Sequence, residues 1–170
     1  MTLFHGGDIQ SASEQFDIPM DEWVDLSTGI SPFSYPVKAL LSTIDTAVFE
    51  RLPYLQKSFS NSAAQYYGCS SLLAVPGTQS AIQLLPECLA SLQVLLPNAG
   101  YQEHKNAWQR HSACTYYNAF DLQQATTEIG QSLRDNPKKH LLVINPNNPT
   151  GQQFSVKQLQ IWASCLSGGG

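Results

Sequence analysis

The residue with the clearest chemical potential is Asn148, in the proline-rich turn 145–151. This turn follows the apolar run Leu141–Ile144, which is typical of a buried parallel strand. Ligands of open α/β sheets bind just outside the carboxyl ends of such strands. We therefore expect the Asn148 amide to hydrogen-bond a bound molecule. An ordinary Asx or proline turn is the alternative interpretation of an isolated Asn-Pro-Thr-Gly.

A second candidate is Gly77-Thr78-Gln79, where a predicted strand at 72–75 runs directly into a helix. The first N–H groups of a helix are unpaired and the helix dipole is positive there, so the segment suits a phosphate. The Thr78 hydroxyl adds a further donor. The alternative is that Gly77 only permits the turn and Thr78 only caps the helix.

The third candidate is Tyr101, which follows the predicted strand Leu92–Leu96, with His104 one helical turn later. An aromatic ring at a strand end can stack on a flat ligand. Taken singly, each of these two residues is equally well explained as a core or interface residue. A phosphate site, a stacking ring and the Asn148 amide at one sheet edge together indicate a flat, phosphorylated cofactor.

These side chains must be positioned by alternating strands and helices. The sequence predicts strands at 72–75, 92–96, 114–117 and 141–144, and helices at 78–89, 101–111, 121–134 and 155–166. Asp121 is the expected cap of the third of these helices, and Ser155 with Gln158 forms a capping-box pattern for the last. The alternation predicts an α/β fold, a three-layer sandwich with helices on both faces of a mostly parallel sheet.

The rest of the chain divides by composition. Residues 1–35 are predicted to form an N-terminal arm rich in Gly, Ser and Pro, and 36–70 a helical segment. Its helices are expected at 36–48 and 58–67, the second ending at Gly68. Residues 71–170 are expected to form the first part of a larger domain. Because the last helix should lead to another strand, we expect a fragment whose sheet is incomplete at the C-terminus.

Composition excludes several classes of protein. Charged residues make up 13% of the 170 residues, about half the usual level, so further chain or a partner is expected to cover part of the surface. The net charge of −4, without a basic face, argues against nucleic-acid binding. No apolar run reaches membrane length and no signal-peptide pattern opens the chain, which predicts a cytoplasmic protein.

The cysteines show no metal-binding pattern. All lie in or beside apolar runs and none forms a Cys-x-x-Cys, which predicts buried free thiols and no metal site. They are Cys69, Cys88, Cys114 and Cys165.

The three candidate segments resemble the cofactor site of the fold-type-I pyridoxal-phosphate enzymes of the class I/II aminotransferase superfamily. The resemblance implies that Gly77, Thr78 and Gln79 bind the cofactor phosphate. It also implies that Tyr101 stacks on the ring and that Asn148 bonds the phenolic oxygen. By the same resemblance, 36–70 would belong to the small domain or an interface, and 71–170 to the cofactor-binding large domain. Such enzymes are usually homodimers.

Within that superfamily, His5-Gly6-Gly7-Asp8 and Asp25-Leu26-Ser27-Thr28-Gly29-Ile30-Ser31-Pro32 resemble the threonine-phosphate decarboxylases of the cobalamin pathway. Segments 51–53, 67–68 and 101–104 fit the same subgroup. The implied reaction converts L-threonine-O-3-phosphate to 1-amino-2-propanol O-phosphate. The resemblance implies that His5 and Gly6 contact the substrate phosphate and that the Gly29–Ile30 backbone approaches the amino acid. The alternatives are a terminal segment without a ligand for His5 and a turn glycine for Gly29.

Four departures from this family bear on activity. Its Schiff-base lysine, ring-nitrogen aspartate and carboxylate-binding arginine lie in the second half of the fold and are absent here, so we expect this chain alone to be inactive. None of its lysines lies in a segment like the family's lysine motif; they are Lys38, Lys57, Lys105, Lys138, Lys139 and Lys157. Leu52 stands where related enzymes often carry a tyrosine that reaches the neighbouring subunit, a role that Tyr54 would have to fill.

Two other functions stay open. A histidinol-phosphate-type aminotransferase shares the cofactor residues and also acts on a phosphorylated amino compound. A non-catalytic, truncated homologue would explain the missing lysine. The segment His5-Gly6-Gly7 favours the decarboxylase.

Overall fold

A computed structural model describes residues 6–31, 33, 35–41, 43–89 and 93–166. The chain divides into two compact units, Met1–Leu72 and Leu73–Gly170. The boundary lies close to the expected start of the larger domain at residue 71, whereas the roles assigned to 1–35 and 36–70 stay predictions.

The first unit consists of short helices joined by turns. It contains α1 (Ile9–Phe16), α2 (Val37–Leu41) and α3 (Lys57–Tyr67), with 3-10 turns at Met20–Glu22 and Thr46–Phe49. Gly68 ends α3 in the left-handed conformation with φ 64°, which confirms the expected helix end.

The single helix predicted for 36–48 is wrong, because the chain leaves the helix after Leu41. The Thr43 N–H and hydroxyl both donate to the Leu40 carbonyl, at 2.9 and 2.7 Å. The Asp45 carboxylate then accepts from the Ala47 N–H at 3.0 Å and caps the 3-10 turn. These side chains offer the backbone local bonds that compete with a continuous helix.

The second unit is built on a parallel sheet. Its elements are α4 (Gly77–Cys88), β1 (Gln93–Pro97), α5 (Gln102–Trp108), β2 (Ala113–Tyr117), α6 (Leu122–Asp135), β3 (His140–Leu141) and α7 (Val156–Cys165). The strand order is β2-β1-β3, and β1 pairs in parallel with both neighbours. The expected parallel α/β sheet is therefore confirmed.

Helices cover both faces of this sheet. Leu95 packs on one face with Ile129 of α6 and Trp162 of α7, all buried. Its neighbours Val94 and Leu96 pack with Trp108 of α5 in a separate cluster. Because successive strand residues point to opposite faces, the two clusters lie on opposite sides of β1. This is the three-layer arrangement that the alternation of elements predicts.

The helix caps in this unit follow the sequence. The Asp121 side chain accepts from the Gln124 N–H at 2.8 Å at the start of α6. The Ser155 hydroxyl accepts from the Gln158 N–H at 3.2 Å at the start of α7. Helix α5 is shorter than predicted, because the N–H groups of Arg110 and His111 bond carbonyls three residues back, at 3.4 and 3.0 Å, in place of the four-residue bonds of an α-helix.

Strand β3 is shorter than the predicted 141–144. The Leu142 N–H still donates to the Leu95 carbonyl at 3.0 Å. Alternate residues of a parallel strand bond the same neighbour, so Pro97 is the next β1 residue facing this strand, and proline has no N–H to donate. The Leu142 carbonyl instead receives the Tyr117 hydroxyl at 3.4 Å.

The strand predicted at 72–75 is absent from the described residues. Leu73 is 85% exposed and no described strand pairs with this segment. A strand needs a hydrogen-bonded neighbour, which an apolar run alone does not supply.

The expectation of buried cysteines is also wrong for three of the four. Cys69, Cys88 and Cys165 are exposed free thiols, and Cys114 is partly buried. Cys88 and Cys165 are the last residues of α4 and α7, and Cys69 follows the Gly68 cap. Apolar neighbours in sequence therefore did not bury these three thiols at the helix ends. Within the described ranges, no helix is long and apolar enough to cross a membrane.

Candidate functional site

The N-terminus of α4 offers open hydrogen-bond donors. Gly77 has φ +77° and donates its N–H to the Val75 carbonyl at 2.8 Å. The next two N–H groups, of Thr78 and Gln79, have no acceptor among the described residues. Pro76 occupies the cap position without a side-chain bond, so Thr78 does not cap this helix. The segment therefore presents unpaired donors at the positive end of a helix of 12 residues, as a phosphate requires.

Tyr101 lies against this segment. Its hydroxyl donates to the Gln79 side-chain oxygen at 3.4 Å. One turn further along α4, Gln83 donates to the Glu103 carboxylate at 3.3 Å and accepts from Arg110 at 3.2 Å. One polar face of α4 thus contacts the start of α5 and Arg110, two residues beyond the end of α5. The structure brings the predicted phosphate segment and the predicted stacking ring together.

The turn after β3 is tied to the same region. The Asn147 side chain donates to the Ala99 carbonyl at 2.8 Å, and Asn147 is only 5% exposed. The intervening residue Gly100 has no room for a side chain, since a Cβ there would lie 2.9 Å from the Ile144 side chain. The loop that leads to Tyr101 therefore packs directly on the loop that carries Asn148.

The turn itself is held by two other asparagines. Asn145 accepts from the Phe154 N–H at 2.8 Å and donates to the Phe154 carbonyl at 3.2 Å. The Asn147 N–H donates to the Gln152 carbonyl at 2.8 Å. The Asn145-Pro146 and Asn148-Pro149 peptides are both cis. Asn148 is exposed, and its side chain makes no hydrogen bond to the described residues, so a local Asx turn does not account for it.

The first unit brings together two predicted substrate segments. The Gly7 N–H donates to the Ser27 hydroxyl at 2.8 Å. A Cβ on Gly6 would lie 2.7 Å from that hydroxyl oxygen and closer still to the Ser27 carbonyl oxygen. Gly29 and the exposed Ile30 follow two and three residues later. His5 lies outside the described residues.

The aminotransferase class I and II family matches residues 21–166, most of the chain. The chain belongs to this family.

Two curated relatives are threonine-phosphate decarboxylases. The one from Pseudomonas aeruginosa is 34% identical over 167 residues, which are 96% of this chain and 46% of the relative. The one from Sinorhizobium sp is 33% identical over 162 residues, 92% of this chain and 44% of the relative. This aminotransferase-family chain therefore spans about half the length of the curated relatives that it matches.

Solved structures support the fold. A "Putative histidinol-phosphate aminotransferase" from Erwinia carotovora atroseptica superposes with a TM-score of 0.55 at 19% identity, over 80% of this chain and 40% of that one. A "putative aminotransferase" from Burkholderia pseudomallei gives a TM-score of 0.56 at 18% identity, over 78% and 41%. At such identities the match shows the aminotransferase fold, part of which this chain covers.

In this member of the family, His104 is a packing residue. Its ring lies 6.2 Å from that of Tyr101 in an edge-on arrangement, and burial lowers the pKa of the imidazole. Both residues line a cavity of about 10 Å³, with Pro97 and Ile144, which is room for about one water. The cavity is too small for a cofactor.

Sequence reasoning missed the asparagines that hold the strand ends. Asn98 accepts from the Ala119 N–H at 2.9 Å, and Asn118 accepts from the Phe120 N–H at 2.8 Å. Asn98, Asn118 and Asn145 each directly follow an apolar run. That position is a readable signal, because a side-chain oxygen there can accept a backbone N–H freed when the strand ends.

Proposed function

We propose that this chain is the N-terminal part of a pyridoxal-phosphate-dependent decarboxylase that converts L-threonine-O-3-phosphate to 1-amino-2-propanol O-phosphate in cobalamin biosynthesis. The observation that carries the proposal is the identity of 34% and 33% to two threonine-phosphate decarboxylases over nearly the whole chain. The convergence of α4, Tyr101 and the turn of Asn148 supplies the physical support.

The described residues fit a flat, phosphorylated cofactor. The unpaired N–H groups of Thr78 and Gln79 would hold its phosphate, with Gly77 giving the turn its shape. The Tyr101 ring, 38% exposed and hydrogen-bonded to Gln79, would stack on the cofactor ring. The free Asn148 amide would donate to the phenolic oxygen. When bound, pyridoxal phosphate supplies an electron-accepting ring that stabilises the charge left by departing CO₂.

The substrate residues of the proposal lie in the first unit. Gly29 has no left-handed φ, and a Cβ on it would meet no atom within 4 Å, so neither conformation nor packing explains a glycine there. Close approach of a ligand to the Gly29–Ile30 backbone does explain it. His5 and Gly6 would contact the substrate phosphate.

The remaining catalytic groups would come from the second half of the full-length protein. Among the lysines here, Lys105 lies over the Tyr116 ring at 5.3 Å and Lys139 is buried with its ammonium on the Ser132 hydroxyl at 2.6 Å. Neither lies in a segment like the family's lysine motif. We therefore propose that the 170-residue chain alone is inactive.

We also propose that the full-length enzyme is a cytoplasmic homodimer. Leu52 and Tyr54 are 89% and 77% exposed, and Tyr54 would serve the partner subunit.

The test is the activity of the full-length gene product. We expect a protein about twice the 18.7 kDa of this chain that binds pyridoxal phosphate and releases CO₂ from L-threonine-O-3-phosphate. The 170-residue chain, assayed in parallel, should release none. A natural product that ends at Gly170 and binds no cofactor would instead identify a non-catalytic homologue.

A histidinol-phosphate-type aminotransferase is the second candidate, because the cofactor residues are common to both functions. The same protein should be offered histidinol phosphate with 2-oxoglutarate. Consumption of 2-oxoglutarate without CO₂ release would reject the decarboxylase in favour of the aminotransferase.

A further inference from the structure

The hydrogen bond between the Gly7 N–H and the Ser27 hydroxyl has a defined direction. The Ser27 hydroxyl donates to the Asp25 carboxylate at 2.5 Å, and the Ser27 N–H donates to the same oxygen at 2.8 Å. A hydroxyl has one proton, and a carboxylate only accepts. Asp25 therefore fixes the Ser27 proton and leaves a lone pair of the oxygen for the Gly7 N–H, 2.8 Å away.

Two glycines make this contact possible. A side chain on Gly6 would collide with the backbone of Ser27, and Gly7 has φ +90°, which L residues rarely adopt. A Cβ on Gly7 would also lie 3.2 Å from the Thr28 methyl group. The glycines of this segment are therefore explained by packing on 27–28, whereas Gly29 faces open space.

We propose that Ser27, oriented by Asp25, is a positioning residue that fixes the Gly6–Gly7 backbone against residues 27–28, which lead into Gly29–Ile30, and so sets the phosphate-recognition side of the substrate site. The inference rests on the proposed function, since it assigns a role within that site. It concerns binding of the phosphorylated substrate only. A contact made equally in the bound substrate and the transition state changes KM and leaves kcat unchanged.

The decisive variant is Ser27→Ala in the full-length protein. Loss of one backbone-to-hydroxyl bond predicts a rise of about 3- to 10-fold in KM for L-threonine-O-3-phosphate, with kcat and cofactor affinity unchanged. Ser27→Thr keeps the hydroxyl and should restore KM. Ser13→Ala is the matched control, because the Ser13 hydroxyl donates to the Ile18 carbonyl at 2.6 Å in the same unit without touching Gly7.

Hydrogen exchange of the N-terminal segment gives a readout that does not depend on activity. Exchange of the Gly7 amide should accelerate in Ser27→Ala and in Asp25→Ala and stay slow in Ser13→Ala and Ser27→Thr. An unchanged KM despite faster Gly7 exchange would overturn the proposal. So would an equal loss of kcat and cofactor affinity, or fast Gly7 exchange in the natural protein.

The experiment also distinguishes failure of the proposed function from failure of the proposed role of Ser27. A natural protein that consumes histidinol phosphate instead would end the decarboxylase proposal. The KM for histidinol phosphate in Ser27→Ala, relative to the natural protein, would then decide the role of Ser27. If neither substrate reacts, binding of each to the natural protein and to Ser27→Ala decides it. Weaker binding by the variant supports the positioning role, and equal or undetectable binding by both overturns it.

Discussion

The hydroxyl of Tyr101 and the side-chain oxygen of Gln79 lie 3.4 Å apart, and the phenol donates to the amide. This bond joins the start of α5 to the first turn of α4. It thereby links the residue proposed to stack on the cofactor ring with the residues proposed to hold its phosphate. The orientation of the ring is coupled to the helix N-terminus, although 22 residues separate the two partners in sequence.

Removing this bond should weaken cofactor binding without abolishing it. Gln79→Met keeps the volume of the side chain and loses the acceptor, so the Kd for pyridoxal phosphate should rise by about 3- to 10-fold in the full-length protein. Tyr101→Phe should match it, because the ring is kept. Tyr116→Phe is the control, as the Tyr116 hydroxyl accepts from Gln109, just beyond the other end of α5. An unchanged Kd in both test variants would contradict the coupling.

Two asparagines of the same turn should respond in opposite ways. Asn145→Ala removes both bonds to the backbone of the buried Phe154 and should lower the free energy of unfolding by about 1–3 kcal/mol. Asn148→Ala removes an exposed amide and should leave unfolding unchanged while weakening cofactor binding. Urea unfolding and cofactor titration of both variants measure the difference. Equal losses of stability would refute the division of roles.

Substitutions at two glycines of the first unit should also have different effects. Gly6→Ala forces a side chain into Ser27 and should displace the N-terminal segment, detected as faster hydrogen exchange at Gly7. Gly29→Ala meets no atom within 4 Å and should leave exchange unchanged. If Gly29 approaches the substrate, this second change should raise KM for the phosphorylated amino acid. A Gly29→Ala enzyme with natural KM would remove Gly29 from the site.

The half-buried His104 predicts a pH effect on stability. Burial lowers its pKa from the ordinary 6.5, so below pH 6.5 the unfolded chain binds this proton more readily than the native protein does. The resulting loss of stability is absent above pH 6.5 and grows as pH falls toward the lowered pKa. Urea unfolding at pH 7.5 and pH 5.5 should therefore show a smaller acid loss in His104→Gln than in the natural chain. Equal losses would show that His104 is not desolvated.

The local features of the fold were readable from the sequence. Caps at Asp121 and Ser155 and the helix end at Gly68 depend on neighbouring residues alone, and all three are as predicted. The run around Leu95 predicted a strand, and the alternation of strands and helices predicted that helices cover both faces of the sheet. The candidate site segments were also predicted from the local order of the sequence, because each of them follows a predicted strand.

Tertiary structure alone decided which backbone groups find partners. The run at 72–75 has strand composition but no described neighbour, and β3 stops because Pro97, 44 residues before its end at Leu141, lacks an N–H. Likewise, only the folded turn shows that Asn145 and Asn147 bond the protein while Asn148 stays free. Propensity acts over a few residues, whereas each of these outcomes depends on a donor or acceptor brought close by folding.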